Sequence, residues 1–168
     1  MVYHLTNYFH EASILFKTIT ISLGLLGMEI QQIKPYSKTS SLQKGARIVL
    51  GLFMVLAGVG HLTFQRREFQ AQVPDWVPIN KDATVLLSGI AEIALGLALV
   101  LAKKNRSKAG IALALFYIVV FPGNIAQYLN HRDAFGLNTD QARLARLFFQ
   151  PVLIIWALWS TGALKRLR

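Results

Sequence analysis

Cysteine is absent from the chain. Disulfides, thiolate metal sites and thiol redox chemistry are excluded with it, and the redox state of the compartment is left open. Charge is sparse: 15% of residues are charged, against roughly 25% in soluble domains. Acids are scarcer still, eight against 18 Lys and Arg, and only Glu92 lies deep in an otherwise uncharged apolar span. No paired-carboxylate site, nucleophile–base pair, phosphate loop or haem motif can be assembled, which weighs against a catalytic role for the chain alone. Internal repeats, low-complexity tracts and a separate soluble domain are missing too.

What the sequence does have is apolar length. Hydrophobic residues make up 54% of the 168, and the stretch 83–102 matches the roughly 20 residues needed to cross a hydrocarbon core of about 30 Å. Glu92 falls near its middle, where a carboxylate facing lipid must find a partner or take up a proton. Further spans are expected at about 46–65, 109–129 and from near Asp140 to 163.

The net charge of +10 is arranged by segment. Lys34, Lys38, Lys44 and Arg47 precede the first span. Lys103, Lys104, Arg106 and Lys108 lie between the second and third, and Lys165, Arg166 and Arg168 follow the fourth, with no acid among them. The opposite loops mix Arg66, Arg67, Lys81, Arg132, Arg143 and Arg146 with Glu68, Asp75, Asp82, Asp133 and Asp140. Excess Lys and Arg marks cytoplasmic loops, so both ends of the four-span core are placed in the cytoplasm. This orientation accounts for the basic residues, and nucleic acid is not an expected partner.

Residues 1–44 read as an extension. No basic stretch opens it, so a cleaved leader is not expected. A helical segment at 12–30, broken by Lys17 and Glu29, either lies at the interface or forms a fifth span. A polar linker covers 31–44. In the first core span Gly51, Gly58 and His61 share a face, where small residues allow close helix approach. Asp82 is placed to cap the second span, in which Ser88 and Glu92 share a face. The short basic turn at 103–108 sets the third span antiparallel beside the second. Pro122 and Pro151 each remove a helical hydrogen bond and are expected to kink their helices. Trp76, Trp156 and Trp159 suit the headgroup boundaries.

Counted inward from the outer boundary, His61 is roughly 5 Å deep, Asn124 about 9 Å, and Glu92 and Gln150 about 15 Å. Arg146 enters from the same side, and Gln127 follows Asn124 by one turn. The candidate site is therefore His61, Ser88, Glu92, Asn124, Gln127, Arg146 and Gln150. One reading makes it an outward-opening pocket for a small ligand. The other makes it interhelical glue, with Glu92 paired to Arg146 and Asn124 bonded to Gln150. His61 and His131 lack the spacing of a metal site, and Arg143 reads as a snorkelling residue.

Four runs carry a resemblance: Gly51-Leu-Phe-Met-Val-Leu-Ala-Gly-Val-Gly-His-Leu62, Ser88-Gly-Ile-Ala-Glu-Ile-Ala-Leu-Gly96, Val120-Phe-Pro-Gly-Asn-Ile125 and Arg146-Leu-Phe-Phe-Gln-Pro151. In their order and spacing the chain resembles the DoxX-like membrane proteins over about 45–163. The resemblance implies a four-helix membrane bundle associated with quinone-linked or oxidoreductase complexes, as a subunit without a cofactor of its own. Related animal proteins are linked to assembly of other membrane proteins. The matching recurrent positions are His61, Glu92, Asn124, Arg146, Gln150 and Pro151.

The expectation is thus an all-α integral membrane four-helix bundle, residues 45–168, with an extra N-terminal helical segment in 1–44. It is read as a non-catalytic subunit or accessory protein in a bacterial plasma membrane, C-terminus cytoplasmic, with no intrinsic cofactor. Its ligand would be a quinone or lipid, and its partners membrane lipid and a membrane or redox-complex protein. The oligomeric state stays open. An assembly or chaperone factor for other membrane proteins is the alternative, and a small proton-coupled transporter is disfavoured by the single buried acid.

Overall fold

Ser40 and Gln43 build a capping box at the head of the first long helix. The Gln43 N–H donates to the Ser40 hydroxyl (3.2 Å), and the Ser40 N–H donates to the Gln43 side-chain oxygen (3.0 Å), a reciprocal arrangement that fixes a helix start. The computed structural model describes residues 38–165, so the segment expected at 12–30 lies outside the described residues. Helix α1 runs Ser41–Leu62, α2 Arg66–Gln70, α3 Lys81–Leu101, α4 Arg106–Leu129 and α5 Asp140–Ser160, before a 3-10 turn at Ala163–Lys165. Helix therefore begins inside the stretch read as linker, because Ser40-x-x-Gln43 is a start signal. Asn80 rather than Asp82 caps α3: its side chain accepts from the Asp82 N–H at 2.8 Å. Pro74 and Pro78 confine helix in the following loop to the five residues of α2. Helices α4 and α5 continue through Pro122 and Pro151.

The four long helices are each long and apolar enough to cross a membrane, and they pack as a bundle. Neighbours follow the cyclic order α1, α3, α4, α5, and the tightest pairings are α1 with α3 and α4 with α5. The turn joining α3 to α4 does set them side by side, yet it does not make them the closest pair.

Glycine decides that. A Cβ added at Gly51 would stand 2.8 Å from the Gly96 carbonyl oxygen, and one at Gly96 would stand 2.6 Å from that of Gly51. Gly58 and Gly89 oppose each other in the same way, at 2.6 and 2.9 Å. Backbone meets backbone at a separation that only glycine permits. Each pair sums to the same residue total, so one antiparallel register holds along the whole α1–α3 contact.

Leu50, Met54, Leu99, Leu113, Tyr117 and Ala157 form the buried core. Large apolar side chains such as Phe53, Leu56, Leu87, Ile90, Val119, Phe148 and Ile155 are exposed around it, while Glu92, Asn124, Gln127 and Gln150 are buried. An apolar exterior around a polar interior suits a hydrocarbon solvent. This is a small multi-span integral membrane protein.

The two ends of the bundle differ. At the basic end, Arg47 donates to the carbonyls of Leu99 and Ala102, the latter at 3.1 Å. Gln43 donates to the Trp159 carbonyl at 2.7 Å. Carbonyls at the ends of α3 and α5, where helix geometry leaves acceptors over, thus accept from α1. At the α2 end, charges pair instead. Arg66 grips both oxygens of Asp82, and Asp75 bonds to Lys81 (2.6 Å) and Arg132. Arg143 bridges Asp133 and Asp140. The Lys81 hydrogen bond, with the Arg132 charge beside it, holds the Asp75 carboxyl below its usual range.

Candidate functional site

The α1–α3 register creates the contact at the centre of the site. Gly58 and His61 share one face of α1, as Gly89 and Glu92 share one face of α3. Where the glycines let the backbones touch, His61 and Glu92 are carried into the seam. On this register His61 opposes Leu86, so its Cα and that of Glu92 differ in depth by six residues, about 9 Å. Side-chain direction closes the gap. In a helix the Cα–Cβ bond tilts toward the N-terminus, which sends His61 inward and Glu92 outward in this antiparallel pair. His61 Nδ1 and Glu92 Oε2 meet at 2.9 Å, with side chains 7% and 11% exposed.

The same Nδ1 lies 3.0 Å from the Ala57 carbonyl oxygen. A carbonyl only accepts, so this contact is a hydrogen bond in the tautomer that carries its hydrogen on Nδ1. Glu92 Oε2 is buried without an aligned donor. The carboxylate that sequence reasoning set against Arg146 therefore has His61 as its contact partner. Arg146 acts on Glu92 and on the Tyr117 hydroxyl through its charge at longer range. It is half-buried and forms no hydrogen bond or ion pair among the described residues.

Beside this pair, α4 and α5 are joined by amides. Asn124 donates to Gln150 Oε1 (3.1 Å), and Gln150 Nε2 donates to the Tyr117 carbonyl (2.8 Å). That carbonyl neighbours the Ile118 oxygen freed by Pro122, so the amide engages the turn beside the break and not the freed oxygen itself. The Tyr117 hydroxyl donates to Met54 Sδ at 3.0 Å, linking the amides to α1. Gln127 belongs to a different set: it accepts from Gln72 of the α2 loop (2.9 Å) and donates to the Arg132 carbonyl (3.4 Å). Ser88 is half-buried one turn from Glu92.

Aromatic rings cover the pair from the α2 end. Phe69 of α2 stacks on the His61 imidazole with ring centres 3.3 Å apart, and Phe135 packs edge-on against Phe69 at 4.6 Å. Phe135 sits at φ 57°, a left-handed conformation unusual for a bulky side chain. Its N–H donates to Glu68 Oε2 at 2.6 Å, which ties the α4–α5 loop to α2. His131, also at positive φ, ends α4 in a Schellman turn: Arg132 N donates to the Gln127 carbonyl and His131 N to that of Tyr128. The turn aims Arg132 back at the α2 loop, where it donates to the Ala71 and Val73 carbonyls at 3.2 and 3.0 Å.

Arg143, read as a snorkelling residue, is 6% exposed and ion-paired. The loop acids supply its counter-charges, so it has no need to reach for solvent. His131 pairs with Asp140 at the surface. Sequence reasoning missed Tyr117, Phe69 and the capping role of Arg47. Tyr117 and Phe69 carry no local signal that separates them from packing aromatics. Arg47 did carry one: a base one turn inside an apolar span needs carbonyl partners.

No curated protein and no solved structure matches the chain. A family model matches residues 50–161, from the core of α1 to the end of α5 and across every candidate site residue. The chain belongs to the family described as a domain of unknown function (DUF8561).

Proposed function

We propose that the protein is a DoxX-like, non-catalytic membrane subunit or accessory protein that holds a small polar-headed ligand between α1, α3, α4 and α5. The observation that carries this reading is Arg146, a half-buried guanidinium without a hydrogen bond among the described residues, acting on a Glu92 whose Oε2 lacks an aligned donor. Unsatisfied donors and acceptors at membrane depth are costly. A ligand presenting an acceptor oxygen to Arg146 and a hydroxyl to Glu92 relieves both, which suits a lipid headgroup or a quinone in its quinol form; the oxidised quinone offers acceptors to Arg146 alone. The basic loops support an orientation with the C-terminus cytoplasmic, which suits the plasma membrane location, and the site then faces outward under the cover of Phe69. A redox-complex protein is the partner this reading favours.

The second reading is an assembly factor for other membrane proteins, with the polar cluster structural. The Asn124–Gln150–Tyr117 bonds favour it, because they join α4 to α5 directly, as interhelical glue does. Native mass spectrometry of protein extracted gently from its own membrane separates the two. A ligand site gives an adduct of constant mass that is lost in Glu92→Gln and Arg146→Gln. A bare bundle, or one carrying only a protein unaffected by those changes, overturns the ligand site.

A further inference from the structure

Independently of the ligand reading, we propose that the basic end of the bundle binds an anionic phospholipid headgroup on Lys44, Lys103 and Lys104. The meeting ends of α1 and α3 fix the placement: Lys44 lies one turn before Arg47, and Lys103 and Lys104 directly follow Ala102, whose carbonyl Arg47 holds. The contacts of Arg47 with the Leu99 and Ala102 carbonyls show that the register persists to this level. All three lysines are exposed, and no side-chain ammonium among them has a hydrogen bond or ion pair among the described residues; only backbone atoms of Lys44 and Lys103 are bonded. Carbonyls at the ends of α3 and α5 are taken by Arg47 and Gln43, and every acid outside the spans among the described residues is at the α2 end. Like charges gathered with no acid repel, and an anion between them removes that repulsion.

The occupant is a lipid rather than a soluble anion because apolar surface adjoins the lysines. Val49 and Leu101 are 45% and 70% exposed, five residues from Lys44 and two from Lys103 toward the bundle centre. A phosphate on the lysines places acyl chains along these residues. Basic side chains near an anionic membrane surface are each worth about fivefold in affinity.

The test uses the full chain in detergent micelles doped with phosphatidylglycerol or phosphatidylcholine, with bound lipid counted by native mass spectrometry. The wild type retains phosphatidylglycerol over phosphatidylcholine, and the preference falls as salt is raised. Lys44→Gln/Lys103→Gln/Lys104→Gln lowers that preference about a hundredfold, Lys→Arg at the same three positions restores it, and Lys108→Gln/Lys165→Gln leaves most of it. Equal retention by the triple glutamine variant overturns the proposal. So does crosslinking of Lys103 or Lys104 to an acidic protein that phosphatidylglycerol does not displace.

Discussion

Gly58→Ala tests the glycine seam, because both contributions to its effect have known sizes. The added Cβ would lie 2.6 Å from the Gly89 carbonyl oxygen, 2.7 Å from Ile93 Cγ1 and 3.0 Å from Ile93 N. Ordinary contact begins at 3.4 Å, so the oxygen must retreat by the difference, 0.8 Å. That oxygen is backbone within α3 and cannot rotate away, so the two helices must separate over this stretch. Overpacking of this kind costs about 1–3 kcal/mol, while replacing glycine by alanine in a helix returns about 1 kcal/mol. The net expectation is a loss of up to about 2 kcal/mol. Gly45→Ala is the control, since a Cβ there meets nothing within 4 Å and only the favourable term remains. Reversible unfolding in mixed micelles, comparing both variants with wild type, reads the difference directly. The reasoning fails if Gly58→Ala is as stable as Gly45→Ala. It fails also if Gly58→Ala and Gly89→Ala are additive in the double variant, because one separation of the helices should relieve both.

Three further outcomes are expected. Arg47→Leu leaves the Leu99 and Ala102 carbonyls without their donor and should lower stability by about 1–3 kcal/mol in the same unfolding assay. Gly110→Ala drives a Cβ to 2.7 Å from Thr161 Cβ; Thr161→Ala should rescue much of its destabilisation, and a double-mutant cycle showing no coupling would contradict the packing of α4 against the end of α5. Asp75, held low by Lys81 and Arg132, gives a pH signature. A depressed folded value means its stabilisation is present above the unfolded carboxylate range, near pH 4, and is lost as pH falls through the lower folded value. The stability difference between wild type and Asp75→Asn should therefore be flat above about pH 5 and vanish in stronger acid, and it should shrink with salt because the group is exposed.

Four spans and the burial of Glu92 were determined by the sequence alone, since apolar length is a one-dimensional property. So were the glycine face of α1 and the level at which Asn124 and Gln150 meet, because helical spacing and depth follow from counting. Counting could not choose the partner of Glu92. It placed the two Cα atoms at well-separated depths and favoured Arg146, whereas the tilt of Cβ toward each N-terminus brings the side chains of His61 and Glu92 together across an antiparallel seam. Nor could it assign Arg143 to Asp133 and Asp140, Arg47 to the end of α3, or Phe69 to a place over the imidazole. Those contacts join residues far apart in the chain, and only the register and the folded loops bring them within reach. Periodicity names the face a residue occupies; which neighbour that face meets depends on how closely the backbones approach, and here glycine sets that distance.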